Sequence, residues 1–536
     1  MTKYLYAASI QGIQSFIFQT NTMKDIVGAS ELVDTICTTE FQRLLERVGN
    51  ELGKKAWNRK SLIVGAAGNV KYVFDEEEKD CCKAAVSQFP IKVMGMAPGI
   101  TISQAVAAYD EAVDGNFGKA VDEVEARLKA QRNRLQPPYT AGLLGIRRAP
   151  GTGLPAVTNK GGVYLDLSTQ SKRRMNKTVD LCMKSFYGER RFKRGSKEYS
   201  DLEHRVAFEI SDMCGQNDWL AVIHADGNSL GKVVLGVGHD RDGLRRFSSQ
   251  LNNKTILAAN DAFRKLCRER GIASGKGHIP IRPIVLGGDD MTVIIRGDLA
   301  MDYLHEYMGC FETRTRELQD ILSRTGRQHL TVCAGIAFIK SSFPFYYGYN
   351  LAESLCAAAK DRARSISQDN PPSCLMFHKV QDSFFWDYHD IERRELTTAS
   401  GKSFLYGPYY LNRAEAGYAT IGDIIEYSKM LTPGYVPGGA HGSSPAAGQQ
   451  IAGSVDSDDI MPAIRKWLGL LHENEGMAEQ WLKRVEDMHP GQADLISALT
   501  HFSTRGDDNA YACMAYDALV LNTISNQQTR GCDNDD

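Results

Sequence analysis

Apolar and polar residues follow one regular order between Trp219 and Lys340. The apolar run "WLAVIHA" leads to a helical pattern over Leu244–Arg270, and two strand patterns, "IPIRPIVL" and "MTVIIR", follow on either side of "GGDD". A second helical pattern spans Met301–Arg324, and the strand pattern "LTVCAGIAFIK" closes the unit. Because apolar positions recur every second residue in strands and about every 3.6 residues in helices, this order predicts β-α-β-β-α-β, the ferredoxin-like arrangement.

The amino-terminal segment repeats this order in a weaker form. Its strand, helix, hairpin, helix and strand patterns lie at Lys3–Phe18, Ala29–Leu45, Ser61–Phe74, Glu76–Gln88 and Gly99–Ala108. The glycines at the corresponding turns are similarly spaced, Gly12 with Gly68 in the first unit and Gly227 with Gly288 in the second. We therefore predict an internal duplication.

The remaining segments have a mixed character. Residues 116–215 combine Pro- and Gly-containing stretches with a basic run, "SKRRMNK" (171–177), which is expected to be a solvated loop. Residues 386–536 have helical periodicity, interrupted by a loop rich in Gly, Pro and Ser at 433–454. The predicted fold is α+β, with ferredoxin-like domains at 1–115 and 216–385, an irregular linker domain at 116–215 and a helical bundle at 386–536.

The composition is that of an ordinary soluble globular protein. Hydrophobic residues make up 43% and charged residues 24% of the 536 residues. The 63 Lys and Arg residues balance 65 Asp and Glu, and a net charge of −2 argues against a surface coated for nucleic acid, although a local basic groove is compatible with it. No secretory-signal pattern and no long apolar run occur. The 12 cysteines include no CxxC pair, so we expect a cytoplasmic protein with reduced cysteines and no membrane association.

Three carboxylates fall at strand ends that the predicted topology brings together. Asp226 ends the first strand of the second unit, and Asp289 and Asp290 lie at the tip of its central hairpin. In a ferredoxin-like sheet the first strand pairs with this hairpin, so the three side chains can share one site. Such carboxylates suit two Mg²⁺ or Mn²⁺ ions, which activate a ribose hydroxyl and stabilise a pyrophosphate leaving group. A lone GGDD is more often a surface turn, but the matching Asp226 favours a metal site.

The turn after Asp226, "DGNSLGK", is a second candidate site. Its backbone N–H groups precede a helix and can bind a triphosphate. An ordinary turn with a helix cap through Asn228 or Ser229 explains these residues equally well when they are taken alone. Lys360, in the helical pattern "LCAAAKDRARS", is a better candidate for a phosphate contact than Lys232. The predicted nucleotide-binding residues are Gly227, Asn228, Ser229, Leu230, Gly231, Gly287, Gly288 and Lys360.

The first unit lacks these carboxylates. Gln11-Gly12 stands where the second unit has Asp226-Gly227, and Gly68-Asn69-Val70 stands where it has Gly288-Asp289-Asp290. This asymmetry indicates a catalytic unit beside a degenerate partner.

Taken together, these motifs resemble the large, polymerase-like subunit of type III CRISPR effector complexes, the Cas10 or Cmr2 family. The shared stretches lie within about residues 1–380 and are "AASIQGIQSFIF…IVGASELV", "HADGNSLGK", "LGGDDMTVI" and "SSFPFYYGYNLAESLCAAAK". The resemblance implies that the two ferredoxin-like domains are palm domains, the second of them catalytic, followed by a helical carboxy-terminal domain.

The resemblance also implies a function. Members of this family make cyclic oligoadenylates from ATP when target RNA is bound, so an antiviral nucleotidyl cyclase is expected. By position, Asp289 and Asp290 match the GGDD aspartates of the family and Asp226 matches its metal ligand. Lys360 matches a phosphate-contacting lysine, and the first palm matches a non-catalytic partner that helps to hold a second nucleotide. The implied partners are nucleoside triphosphates, guide or target RNA and other type III CRISPR subunits.

Three features depart from the family pattern. The sequence opens on the first palm rather than on an HD nuclease domain, so no intrinsic DNA cleavage is expected. No cysteines surround "APGTGLPAV" (Ala149–Val157), so a zinc ion between the palms is not expected. The carboxy-terminal region is short for a subunit that contacts small helical subunits and guide RNA, which is also compatible with a stand-alone synthase.

The leading prediction is a cyclase in which a ribose 3′-hydroxyl attacks an α-phosphate and releases pyrophosphate. One alternative is a non-catalytic scaffold that binds nucleotide or RNA, which the complete set of carboxylates disfavours. Another is a diguanylate-cyclase-like cyclic dinucleotide synthase, although the turn reads GGDDM rather than GG(D/E)EF. A templated polymerase is the remotest option, since no thumb for a primer and template is recognised. Ring size, linkage and base are open at this level.

Overall fold

Two β-sheets organise the computed structural model, one in each predicted palm, and the predicted α+β fold class is confirmed. The structure describes all residues except 67, 135–144, 176–177, 216–217, 273–276, 382–387, 413–417, 436–458, 506–509 and 527–536. The domain boundaries given above stay a prediction.

The first palm is built from a four-stranded antiparallel sheet and its covering helices. Its elements are β1 (Thr2–Gln11), α1 (Ile13–Ile17), α2 (Met23–Thr35), α3 (Phe41–Glu51), β2 (Leu62–Ala66), β3 (Asn69–Asp75), α4 (Lys79–Met96), β4 (Thr101–Asp110) and α5 (Asn116–Arg132). The strand order is β2-β3-β1-β4, as expected for a ferredoxin-like unit. A π-helical turn at Ile36–Glu40 joins α2 to α3. Helix α5, which the predicted boundaries place in the linker domain, packs against β4 and β1.

The segment between the palms is more regular than predicted. It contains β5 (Ala156–Lys160), β6 (Val163–Asp166), α6 (Leu167–Met175), α7 (Asp180–Tyr187) and α8 (Lys197–Arg205). The expected solvated loop is wrong for Lys172, which is fully buried in α6. Its Nζ donates to the Phe16 carbonyl at 2.6 Å and to Gln19 Oε1 at 2.9 Å, so polar partners take the place of water around the ammonium. Residues 176–177 of the same run lie outside the described residues.

The second palm repeats the ferredoxin-like unit and extends its sheet. Its elements are β7 (Trp219–Gly227), α9 (Leu230–Val237), α10 (Arg241–Arg270), β8 (Ile281–Gly287), β9 (Asp290–Arg296), α11 (Ala300–Thr315), α12 (Gln319–Leu322), β10 (Val332–Lys340), α13 (Phe345–Ile366) and β11 (Cys374–Lys379). The strand order β10-β7-β9-β8 matches that of the first palm, and β11 adds a parallel strand beside β10. Strand β7 is almost wholly buried between β10 and β9 and against helices α13 and α11, which explains its continuous apolar run.

The carboxy-terminal part is mainly helical. Its elements are α14 (Tyr388–Glu395), β12 (Tyr409–Tyr410), α15 (Ile421–Met430), α16 (Met461–Glu473), α17 (Glu475–Met488), α18 (Ala493–Thr500), β13 (Ser503–Arg505), β14 (Ala510–Ala512) and α19 (Ala515–Asn526). Strand β12 pairs with β11, so this part is joined to the second palm's sheet. Residues 436–454 of the predicted Gly-, Pro- and Ser-rich loop lie outside the described residues. No helix in the described part of the chain is both long and apolar enough to cross a membrane.

The two palms pack against each other through equivalent helices. Helix α2 of the first palm lies on β8 of the second, and α10 of the second palm lies on β2 of the first. The Ser30 hydroxyl donates to the Ile284 carbonyl, and Phe18 stacks on Tyr349 with ring centroids 4.5 Å apart. This packing turns the β2–β3 and β8–β9 hairpin turns towards one shared cleft.

Candidate active site

Asp226, Asp289 and Asp290 converge at one end of the second palm's sheet. Ala225 pairs with Met291 across β7 and β9, and Gly287 pairs with Asp290 across β8 and β9. The ends of the three strands therefore lie at the same edge of the sheet. Carboxylate oxygens of Asp226, Asp289 and Asp290 lie within 4.8 Å of one another. The structure thus brings together the residues that the sequence predicts to share a site.

The turn between β8 and β9 is fixed by two side chains of α10. The Gly288 N–H donates to Asn252 Oδ1 at 3.1 Å, and the Thr255 hydroxyl donates to the Gly288 carbonyl at 2.6 Å. Gly288 has a φ of +64°, a left-handed conformation that glycine adopts without steric strain. Helix α10 therefore fixes the N–H and the carbonyl of Gly288, the residue directly before Asp289 and Asp290.

Gly227 allows the end of β7 to approach this turn closely. A Cβ at this position would lie 2.9 Å from Asp289 Cβ, closer than two such atoms can be. Any larger residue at this position would therefore push Asp289 away from Asp226.

Lys360 reaches the carboxylates from helix α13. This helix lies directly on β10, where a Cβ on Gly335 would come within 2.0 Å of the Ala352 carbonyl oxygen. The Lys360 ammonium donates to Asp226 Oδ2 and, at 3.2 Å, to the Gly227 carbonyl. Its side chain is 13% exposed and that of Asp226 34% exposed, so the ion pair borders the open side of the site.

Two of the three carboxyl groups, those of Asp289 and Asp290, have raised pKa values. Burial, followed by the nearby Asp226 charge, raises the pKa of Asp289 to about 7. Burial and the Asp289 charge raise the pKa of Asp290 well above its ordinary value. The Lys360 ammonium acts in the opposite direction on both groups, because a nearby cation favours ionised carboxylates.

The donor set fits a hard divalent cation. Among the residues that the structure describes, this is the one group of three His, Cys, Asp or Glu side chains whose ligand atoms approach so closely. All three offer carboxylate oxygens, which Mg²⁺ and Mn²⁺ prefer over softer ligands. A divalent cation would also offset the burial and the mutual repulsion that raise the pKa values of Asp289 and Asp290.

The turn after Asp226 has an unusual backbone. Ser229 has a φ of +54° and is the only non-glycine residue with a left-handed φ in the described part of the chain. It precedes α9 without a side-chain cap, so the predicted cap through Ser229 does not form. Since the first N–H groups of a helix lack intrahelical acceptors, those of Leu230 and Gly231 are suited to an anion.

Two side chains near this turn have partners outside the carboxylate site. Asn228 is buried, and its Nδ2 donates to Thr331 Oγ1 at 3.0 Å. Lys232 pairs with Asp369 at 3.1 Å on the surface. Asn228 therefore holds the turn rather than facing the carboxylates, and Lys232 is occupied by another acid.

Sequence reasoning missed three residues that position the site. Asn252 and Thr255 clamp the β8–β9 turn, and the buried Arg327 donates through Nη1 to the Asn228 carbonyl at 3.3 Å. A signal existed for Thr255, a polar residue in the buried stripe of α10. Arg327 lies in a loop with no periodicity, so no sequence pattern marks it.

A cleft extends from Asp290 into the interface between the palms. Asp290 and Gly287 line it from the second palm, and Gly68 lines it from the first. His224, two residues before Asp226 on β7, also contributes to its lining and is hydrogen-bonded through Nδ1 to Thr292 Oγ1 at 3.1 Å.

Comparisons with known proteins agree with this architecture. Residues 219–366 match the sequence profile of the family described as Cas10/Cmr2, second palm domain. A crystal structure of a Csm1–Csm4 cassette in complex with cA4 has a TM-score of 0.51 at 13% identity, covering 98% of this chain and 70% of that chain. Csm1 in T. onnurineus has a TM-score of 0.52 at 13% identity, covering 98% and 69%.

A Csm1–Csm4 cassette in complex with AMPPNP also has a TM-score of 0.52 at 13% identity, covering 98% of this chain and 69% of that chain. At so low a sequence identity, the structural similarity establishes a shared fold. No curated protein matches the chain significantly. We conclude that residues 219–366 form a Cas10/Cmr2 second palm domain and that the chain as a whole shares the fold of Csm1.

Proposed function

We propose that this protein is a nucleotidyl cyclase that converts ATP into cyclic oligoadenylates. The observation that carries the proposal is the convergence of Asp226, Asp289 and Asp290 within 4.8 Å in a Cas10/Cmr2 second palm. Solved structures of the same fold contain the Csm1–Csm4 cassette with cA4 and with pppApA, a cyclic and a linear oligoadenylate. These ligands belong to those proteins and support extending the same chemistry to this chain.

The three carboxylates would hold Mg²⁺ or Mn²⁺. Two such ions would supply activation of the attacking hydroxyl and charge stabilisation of the leaving group. The reaction joins the 3′-oxygen of one nucleotide to the α-phosphorus of the next and breaks the bond to pyrophosphate. Since no carboxylate stands at Gln11 or Asn69, the first palm would bind a nucleotide without catalysing the transfer.

The chain's own groups would bind and orient the triphosphate. The N–H groups of Leu230 and Gly231 open α9 beside the carboxylates, where they would donate to phosphate oxygens. The Lys360 ammonium lies between Asp226 and the Gly227 carbonyl, so it is placed to donate to a phosphate bound at this turn. Asn252, Thr255 and Arg327 would act as positioning residues, because they hold the two turns rather than the substrate.

We also propose partners and a compartment. Csm1 is bound to Csm4 in the related structures, which supports another type III CRISPR subunit as the partner of this chain. Guide or target RNA would then control the activity in the cytoplasm.

The proposal is tested by identifying products. The purified protein is incubated with each nucleoside triphosphate and Mg²⁺ or Mn²⁺, with and without RNA, and products are identified by mass spectrometry. Cyclic adenylates that disappear in an Asp289→Ala/Asp290→Ala variant would support the proposal, and cyclic diguanylate would support the diguanylate-cyclase alternative. No turnover with RNA and partner subunits present would favour a nucleotide-binding scaffold.

A further inference from the structure

The cleft between the palms also contains a polar pair, Asp34 and Lys184. Lys184 Nζ donates to both oxygens of Asp34, at 2.7 Å to Oδ1 and 2.6 Å to Oδ2. Asp34 belongs to α2 of the first palm, and Lys184 belongs to α7 between the palms. Both residues line the cleft that also contains Asp290.

This ion pair is not needed to attach α2 to its neighbours. One turn earlier, Ser30 and Glu31 are buried, and they bond to the Ile284 carbonyl and to the Leu181 N–H respectively. The side chains of Lys184 and Asp34 remain 19% and 21% exposed. Buried contacts therefore hold α2 in place, while the ion pair remains partly exposed to the cleft.

The lining of the cleft combines apolar and polar side chains. Val33 and Leu181 line the cleft next to Asp34 and Lys184, and Ile284 and Leu286 continue the lining along β8 towards Gly287. A partly apolar cleft with a few fixed polar groups suits a flat heterocycle whose polar edge hydrogen-bonds to those groups. A nucleobase has this character, and its triphosphate would extend towards the three carboxylates.

The pair offers complementary hydrogen-bonding groups. The Asp34 carboxylate accepts hydrogen bonds only, and the Lys184 ammonium donates only. Lys184 has three N–H groups, of which Asp34 takes two, and Nζ has no further partner among the described residues. A base can therefore contact both residues without breaking the ion pair.

We propose that Asp34 and Lys184 are specificity-determining residues that read the base of a nucleotide in the cleft. Asp34 accepts from an exocyclic amino group, and Lys184 donates to the adjacent ring nitrogen or carbonyl oxygen. Adenine, guanine and cytosine present such an edge, whereas uracil does not. This inference rests on the proposed function, since it requires a nucleotide whose phosphates lie at Asp226, Asp289 and Asp290.

The direct test compares ATP with purine riboside triphosphate, which lacks only the 6-amino group. Equilibrium binding of each is measured calorimetrically to the full-length protein, with Ca²⁺ present to favour binding over turnover. Because one hydrogen bond to a charged group contributes about 10- to 100-fold, we expect the wild-type protein to bind ATP tighter by that factor. UTP, GTP and CTP measured in the same way separate adenine from the other bases.

Two variants separate base reading from a structural role. Asp34→Leu/Lys184→Met removes both polar groups and should bring the ratio of the two affinities close to one. Asp34→Lys/Lys184→Asp restores an ion pair with reversed positions, so it should retain the melting temperature while losing the preference for ATP. The control is Lys24→Met/Glu209→Gln, which removes an ion pair at the other end of α2 and should leave the ratio unchanged.

The outcomes distinguish this inference from the proposed function. Equal wild-type affinities for ATP and its deamino analogue would overturn the base-reading role, even while cyclic products are still made. A preference for ATP that survives in Asp34→Leu/Lys184→Met would also overturn it. A wild-type protein that neither binds nor turns over any nucleotide would overturn both.

Discussion

The Lys360 ammonium and the Asp226 carboxylate form an ion pair although 134 residues separate them in the chain. The pair connects α13 to the end of β7, directly beside Asp289 and Asp290. Burial disfavours the Lys360 ammonium, but Asp226 outweighs this effect and raises the pKa of Lys360. A firmly protonated lysine thus belongs to the same electrostatic unit as the three acids.

Lys360→Met should destabilise the protein most when divalent cations are removed. Asp226 would lose its partner and the acids would repel one another more strongly, which should lower the free energy of unfolding by about 1 to 3 kcal/mol in EDTA. Millimolar Mn²⁺ should restore most of this loss. Thermal unfolding with and without Mn²⁺ measures both quantities.

The matched control is Lys232→Met, which removes a surface ion pair with Asp369 and should change little. An equal loss of stability in EDTA and in Mn²⁺ for Lys360→Met would contradict the electrostatic coupling.

Binding of a divalent cation should release protons and strengthen as the pH rises. The pKa of Asp289 is raised to about 7 and that of Asp290 is raised well above its ordinary value, whereas a metal ligand must be deprotonated. Affinity for Mn²⁺ should therefore increase between about pH 6 and pH 8. Calorimetry in two buffers of different ionisation enthalpy measures the protons released, and an affinity independent of pH would rule out protonated carboxyls in the free site.

Thr255→Val should impair the reaction more than the fold. The hydroxyl that donates to the Gly288 carbonyl would be lost, while the shape of the side chain is kept. We expect stability to fall by about 1 kcal/mol and pyrophosphate release to fall at least about 10-fold, because small displacements of aligned groups are costly to catalysis. Thr500→Val, which removes a buried hydroxyl bond in α18, is the control for stability alone. Equal activity of the two variants would contradict the positioning role.

Glu31→Gln should change how stability depends on pH. Burial raises the pKa of Glu31 to about 8, from an ordinary value of 4.5, despite the nearby Arg282. Between these values the folded protein holds a proton that the unfolded chain has released, so stability falls as the pH rises. The stability of the wild type relative to the variant should therefore decline between about pH 5 and pH 8, by on the order of 3 kcal/mol. Urea unfolding across this range measures the difference, and a constant difference would show that Glu31 does not titrate there.

The sequence predicted the two sheets because each strand and helix carries its own periodicity. Runs such as Trp219–Ala225 show that a strand is buried, and the shared order of elements reveals the duplication. Periodicity does not show which surfaces meet, so the packing of α2 on β8 and of α10 on β2 could not be predicted. Helix α6 was not predicted because it buries Lys172, a residue type that composition alone assigns to solvent.

The site was predictable where its residues lie at strand ends. Asp226, Asp289 and Asp290 follow from the topology, since neighbouring strands place their ends together. Asn228 belongs to the predicted turn, but its amide faces Thr331, a contact that depends on a distant loop. The Asp34–Lys184 pair joins a helix of the first palm to the segment between the palms, and neither residue stands in a recognisable motif.

The most direct test of the central claim is the rate of pyrophosphate release from ATP and Mn²⁺, in the presence of RNA and partner subunits where these are required. The wild type is compared with Asp226→Asn, Asp289→Asn, Asp290→Asn and the triple variant. If the three carboxylates act as one unit, each single variant should lose at least about 1,000-fold, and the triple variant should be no slower than the slowest single variant. A single variant that keeps more than about a tenth of the wild-type rate would show that its carboxylate is not part of the reaction centre.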